Sequence, residues 1–262
     1  MPRPPVKSAI RALEVLSLFS KKRCALSQSD IIRQLKYPQS SGTFLLKSLM
    51  EAGYLSYDRK DRTYLPTPEV LLLGRWLQDY GYEGFFSKSA ITALLDDLQN
   101  ATDETISVAT QNDIFAQFHR VLVKNLSATM YIPEGAMLPM SYTAYGYVLL
   151  SAQTPGKAER ACRLINARER TPSRRLDLQK MADKLHLIRE TGYCYMRNPY
   201  LLGAGSIAAL LPVRIAGHHV AVGIGGPAER IEGKLPNLTR TLRSIVTKHG
   251  GALRAAFDAA GK

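Results

Sequence analysis

Ser27, Gln28, Gln39, Ser40, Ser41 and Thr43 bring hydroxyls and amides into one short stretch, and Lys47, Arg59, Lys60 and Arg62 follow with cations. Both atoms of a Gln amide can grip an adenine edge, and hydroxyls serve either bases or phosphates. Cations neutralise a phosphate backbone without reading sequence. Ser27 and Gln28 stand at a predicted helix start, where backbone N–H groups suit a phosphate. Ser40 reads equally well as a helix N-cap. A solvated turn would explain Arg59, Lys60 and Arg62 as simply as phosphate contact does.

Catalytic patterns are weak by comparison. Asp96-Asp97 and Asp103-Glu104 are adjacent carboxylates that read as solvated helix ends rather than an acid/base pair. His218-His219 follows Gly217 in a predicted turn, and adjacent histidines are poor metal-ligand spacing without further ligands. Gly203-Ala-Gly205 and Gly223-Ile-Gly-Gly226 lack the context of a phosphate loop. No nucleophile, base and orienting group can be assembled, so neither an enzyme nor a cofactor or metal is expected. Cys24, Cys162 and Cys194 are too scattered for a zinc site and read as reduced thiols in or near the core.

Charge agrees with the first cluster. The 262 residues carry a formal net charge of +13. Residues 1–66 hold 12 Lys+Arg against 5 Asp+Glu, a charge density more than three times that of the rest. Such local basicity points to an acidic partner. No apolar run is long enough to span a bilayer, and Met1-Pro2-Arg3-Pro4-Pro5 does not resemble a signal peptide. A cytoplasmic protein with no membrane partner is the expectation.

These side chains need elements to hold them. Ser8 can cap a first helix with Ala9, Leu13, Leu16 and Phe19 as its apolar face. Ser27-x-x-Asp30 opens a second, and Lys36-Tyr37-Pro38 breaks it. Gln39-Ser40-Ser41 opens a third, with Leu45, Leu46, Leu49 and Met50 as core and Gly53 as its stop. Residues 54–57 and 63–65 then read as a hairpin around a charged turn. A hairpin after a helix-turn-helix is a winged helix, whose third helix enters the major groove. Thr67 caps a helix through Val70–Leu73, Trp76 and Leu77, more apolar than one small domain can bury, so part of it is expected to meet a partner subunit. From residue 87 onward helices (89–99, 143–152, 176–191, 235–257) mix with strands (105–110, 115–123, 206–213, 219–224), the pattern of a sheet domain with flanking helices.

In that setting Val6–Leu16, Ser41–Leu55, Tyr64–Gly74, Leu138–Gly146 and the Gly225-Gly-Pro227 region together resemble the IclR family of bacterial transcription regulators. The resemblance implies an α+β chain: an N-terminal winged helix-turn-helix (1–66), a linker helix and connection (67–86), and a C-terminal GAF-like antiparallel sheet domain with flanking helices for effector binding and oligomerisation (87–262). It also implies a homodimer or homotetramer on double-stranded operator DNA. Two positions depart from the family: Phe44 stands where members commonly carry Arg, and Gly42 where they carry a β-branched residue. Gly42 weakens the helix by up to about 1 kcal/mol relative to Ala. Losing the Arg removes a phosphate or base contact, so the operator cannot be carried over from relatives.

For the effector, the resemblance implies contacts from the Gly146 and Tyr147 backbone, from Asn198, from Ala208 in place of a Cys, and from Gly223 and Gly225 in place of two serines. Replacing those serines predicts an enlarged, less polar pocket, walled by Phe115, Phe118, Thr129, Ile132, Met140, Tyr142, Tyr145 and Tyr147 and suited to an aromatic acid. Each of those side chains reads equally as ordinary core, and His119 as an acid partner or a core histidine. The expectation is a ligand-responsive regulator of catabolic genes, with a ligand-free oligomeric scaffold carrying a vestigial pocket as the alternative.

Overall fold

A computed structural model of the chain describes residues 6–77, 82, 90–124, 132–198 and 201–258. The chain divides into two compact units, Met1–Gln78 and Asp79–Lys262.

In the first unit, helix α1 (Lys7–Lys22) and the two-residue strand β1 (Leu26–Ser27) lead into α2 (Gln28–Leu35) and α3 (Gln39–Glu51). The hairpin of β2 (Leu55–Asp58) and β3 (Thr63–Pro66) follows, then α4 (Glu69–Arg75). β3 is the middle strand of an antiparallel sheet and pairs with β1 on its other side. Val15, Leu18, Phe19, Ile31, Leu46, Leu49 and Leu55 form the core.

Local signals for α2 and α3 hold. The Ser27 hydroxyl accepts the Asp30 N–H at 3.2 Å, and Gly53, at φ +84°, takes the left-handed conformation that ends α3. Three capping expectations are corrected. α1 starts at Lys7 behind Val6 with no side-chain cap, so Ser8 lies inside the helix. Pro38, not Ser40, occupies the N-cap of α3. Thr67 donates its hydroxyl to the Gly53 carbonyl at 2.5 Å and so ties α4 back to the end of α3. The buried face of α1 is also rotated from the expected one: Val15 and Leu18 are inside, and Leu13 is exposed. Position along a helix does not say which of two candidate stripes meets the neighbouring helices. α4 exposes Leu71, Leu72 and Leu73, and Trp76 at its C-cap is exposed as well.

The second unit is built on six antiparallel strands in the order β6-β5-β4-β9-β8-β7: β4 (Thr105–Asn112), β5 (Phe115–Leu122), β6 (Met137–Pro139), β7 (Tyr193–Arg197), β8 (Ala204–Ile215) and β9 (His218–Pro227). Helices α5 (Ala90–Thr102) and α10 (Leu235–Asp258) cover one face through Leu94, Leu98, Leu238 and Leu242 against Ile106, Val222 and Ile224. On the other face lies α6 (Ala144–Ser151), every residue of which is buried, as its unbroken apolar sequence demands. α7 (Pro155–Arg168) and α8 (Leu178–Thr191) pack around it, and the short α9 (Ala228–Gly233) joins β9 to α10. β8 and β9 meet in a two-residue turn, Ala216-Gly217, with both φ positive, as a tight hairpin requires.

β1, α7, β6, β7 and α9 are additions to the elements read from sequence. The apolar stripe of α7, Ala158, Cys162 and Ile165, is too sparse among charges to announce a helix. Cys162 and Cys194 are buried, but Cys24 is exposed and so departs from expectation. Burial pushes the Cys194 thiol up to about 11, which keeps it protonated and inert at neutral pH. Among the described residues no helix is long and apolar enough to cross a membrane, and no His/Cys/Asp/Glu group has the geometry of a metal site.

Candidate nucleic-acid interface and buried cavity

α3 presents Ser40, Thr43, Phe44 and Lys47 outward as one exposed stripe, at the i, i+3, i+4, i+7 spacing of a single helix face. Gly42, Leu46 and Leu49 on the opposite side are buried. Gly42 has a packing reason: a Cβ there would sit 2.6 Å from Ile32 Cγ1 and 2.8 Å from Cδ1, so glycine lets α3 lie close against α2. Gln28 Nε2 donates to Thr43 Oγ1 at 3.0 Å, which in turn donates to the Gln39 carbonyl at 2.9 Å, locking the start of α2 to the middle of α3.

Other predicted contacts divide by occupancy. The Ser27 hydroxyl is committed to capping α2 and donates to the Asp30 carboxylate at 2.6 Å. That bond, assisted by Arg33, holds the Asp30 carboxyl below its ordinary range. Gln39 and Ser40 are exposed, whereas Ser41 is half-buried. Lys47 Nζ lies 3.7 Å from Glu51 Oε1, a solvent-exposed pair that a phosphate can replace at little cost. At the hairpin tip the Asp58 carboxylate accepts the Lys60 and Asp61 N–H groups, which fixes the turn and leaves Arg59, Lys60 and Arg62 exposed.

In the C-terminal unit a cavity of about 50 Å³ lies between the sheet and the start of α6, with Ser107, Phe118, Tyr145, Asn198, Ser206 and Gly225 in its wall. The Tyr145 hydroxyl meets Ser107 Oγ at 2.5 Å, and the Phe118 ring stands edge-on to Tyr145 at 5.0 Å. Burial raises the Tyr145 phenol well above its usual pKa, with the Ser107 bond opposing in part, so it keeps its proton and can donate. Asn198 Oδ1 accepts the Leu201 N–H at 3.0 Å, and Thr143, also in the wall, caps α6. None of these lining residues carries a formal charge.

Of the residues expected at this pocket, Phe118, Ile132, Tyr145, Asn198 and Gly225 line it. Thr129 lies outside the described residues. Gly146 and Tyr147 are corrected: the Gly146 N–H donates to Thr143 Oγ1 and the Tyr147 N–H to the Thr143 carbonyl, so neither is free for an anion. Gly146 is there for close packing, since a Cβ would fall 2.1 Å from the Met140 carbonyl oxygen. Met140 forms that underlying turn, and Ala208 packs in the core beneath α6. The Tyr147 ring lies under Lys184 Nζ at 4.2 Å, and burial pushes its phenol up to about 12.

Gly223 does not enlarge the cavity. A Cβ there would lie 2.7 Å from the Tyr145 hydroxyl and 2.5 Å from the Ile207 carbonyl, so the phenol occupies the room the glycine frees. Gly225, by contrast, opens on the cavity with nothing closer than 3.9 Å. Thr105, Ser107, Thr143 and Ser206 also line the cavity and are additions to the expected set; the signal for two of them lies in the hydroxyl residues Thr105 and Ser107, which alternate along β4 and so share one face. His119 bonds Thr110 Oγ1 at 2.8 Å, and burial, with His218 nearby, lowers its pKa. The carboxylates also resolve: Asp97 pairs with Lys248 and His249, and Glu104, expected in solvent, is buried against Arg230. A larger hollow of about 320 Å³ between α7 and α8 is lined by Cys162, Met181 and Leu185 and contains none of the predicted residues.

Comparison with known proteins follows this division. Residues 8–59 match the IclR helix-turn-helix domain, and residues 88–249 match the bacterial transcriptional regulator IclR C-terminal domain. The chain is 23% identical over 229 residues to the HTH-type transcriptional repressor AllR of Escherichia coli K12, covering 84% of this chain and 80% of that one. The effector domain of the transcriptional regulator IclR from Acinetobacter sp. ADP1 superposes with a TM-score of 0.56 at 28% identity, over 61% of this chain and 93% of that one. An IclR homolog from Microbacterium hydrocarbonoxydans, complexed with 4-hydroxybenzoate, superposes with a TM-score of 0.65 at 18% identity, over 95% and 99%.

Proposed function

The chain belongs to the IclR family of bacterial transcriptional regulators, and from that premise we propose that a small organic acid held in the C-terminal cavity controls its binding to operator DNA. The DNA is bound by the helix-turn-helix, with the exposed side chains of α3 toward the bases and the hairpin cations on the backbone. The observation that carries the effector reading is the convergence of neutral donors, Tyr145, Ser107, Ser206 and Asn198, on one cavity. Such a site holds a carboxylate by hydrogen bonds rather than by an ion pair, and Asn198 can donate as well as accept.

At about 50 Å³ the cavity suits an acid of a few carbons. An aromatic acid is the second reading, favoured by the Phe118–Tyr145 wall and by the 4-hydroxybenzoate seen in the relative; it requires the Tyr145 ring to move. The test is binding of a duplex from upstream of the protein's own coding region, with and without pyruvate or 4-hydroxybenzoate. The acid that fits shifts the Kd, because an effector with unequal affinity for two arrangements changes their populations. DNA binding indifferent to every acid tried would favour the ligand-free scaffold.

Two further outcomes are expected. Gln39→Ala and Lys47→Ala each weaken operator binding by about 1–3 kcal/mol, as for residues that touch base edges, whereas Arg59→Ala weakens all duplexes alike and flattens the salt dependence. Fluorescence anisotropy at several salt concentrations separates these effects, and unchanged operator affinity after loss of both Gln39 and Lys47 would reject the α3 assignment. The apolar run of α4 is proposed to lie in a homodimer or homotetramer contact. Trp76→Glu would bury an unpaired charge there, at a cost on the order of several kcal/mol, and shift sedimentation toward monomer. An unaltered assembly would show that this face is not in the contact.

A further inference from the structure

Phe44 stands in the middle of the outward stripe of α3 and is 72% exposed. Its direction is set by packing. At 100° per residue it lies about 140–200° around the helix from the buried Gly42, Leu46 and Leu49, so the contacts that seat α3 against the core turn the ring outward. The neighbours on its helix face, Ser40, Thr43 and Lys47, are all polar, so the ring is the one apolar side chain in the exposed stripe of α3. Phe has neither a donor nor an acceptor and cannot read base edges by hydrogen bonding. On the floor of the major groove the apolar feature available to it is the C5-methyl group of thymine.

We propose that Phe44 reads the C5-methyl of a thymine in each operator half-site, so that this position carries sequence specificity by apolar contact. The inference rests on the reading of α3 as the helix that enters the major groove. Lys47, one turn further on, supplies the cation that holds the helix against the DNA while the ring rests on the methyl. Specificity of this form differs in kind from that of a guanidinium, which grips guanine by two hydrogen bonds.

Selection of duplexes from a random-sequence library with the full-length protein supplies the binding site. Each thymine of the best duplex is then replaced in turn by deoxyuridine, which removes the methyl and leaves the pairing edge intact. Wild type is expected to lose about fourfold in affinity at one thymine per half-site, the value of one buried methyl-sized group. Phe44→Ala, a change at an exposed position, should bind the thymine duplex more weakly and no longer distinguish it from the deoxyuridine one. Equal wild-type affinity for every deoxyuridine duplex would overturn the proposal and leave DNA binding intact. So would unaltered discrimination by Phe44→Ala, including the case where that variant changes its sedimentation because the ring serves a protein contact. Failure to enrich any sequence would overturn both this inference and the α3 reading.

Discussion

Serine at Gly223 is expected to destabilise the C-terminal unit by about 1–3 kcal/mol, the usual cost of forcing extra atoms into a filled core. The added Cβ would meet the Ile207 carbonyl at 2.5 Å and the Tyr145 ring at 2.7 Å. The carbonyl belongs to β8, whose pairing with β9 runs through this register, so it cannot retreat without loosening the ladder. Tyr145 would have to leave Ser107 and enter the cavity. Gly225→Ser is the control, because its Cβ has open space and its hydroxyl adds a donor to the wall. Urea unfolding should therefore separate two substitutions two residues apart: a lowered midpoint at 223 and a nearly unchanged one at 225. Equal midpoints would mean that both the Tyr145 ring and the Ile207 carbonyl give way without cost.

Arg230→Ala should cost about 3 kcal/mol or more, for a different reason. The Glu104 carboxylate is 1% exposed and takes a two-pronged ion pair from Arg230, Nε to Oε1 at 2.7 Å and Nη2 to Oε2 at 2.6 Å. That carboxylate also raises the Arg230 pKa, so the guanidinium stays charged at any pH the fold tolerates. Removing one partner of a buried pair leaves an uncompensated charge, at about 3–5 kcal/mol. Lys234 Nζ, 3.6 Å from Oε1, softens the loss and places the expectation at the lower end. Adding Glu104→Gln to Arg230→Ala removes the stranded charge and should restore part of the stability, whereas two independent sites would add. A loss below about 1 kcal/mol would mean that Lys234 alone satisfies the carboxylate.

The order and character of the parts are legible from near neighbours along the chain. The Ser27-x-x-Asp30 start, the Pro38 break, the Gly53 stop and the charged hairpin turn are contacts between residues a few positions apart, and the structure keeps them. Basicity concentrated in residues 1–66, with the family motifs, was enough to point to a DNA-binding regulator. Packing settles everything that depends on which distant surfaces touch. It chose Val15 over Leu13 for the inner face of α1, and it took up the Gly146 and Tyr147 N–H groups in capping α6. It buried Glu104 against an arginine 126 positions away, and it filled the space beside Gly223 with a ring from another element. Deleting a side chain in sequence does not create a cavity, because the volume belongs to whatever packs across the sheet. Where α6 lies on β4, β8 and β9 is set by their pairing register and by a glycine pressed on Met140, neither of which local periodicity encodes.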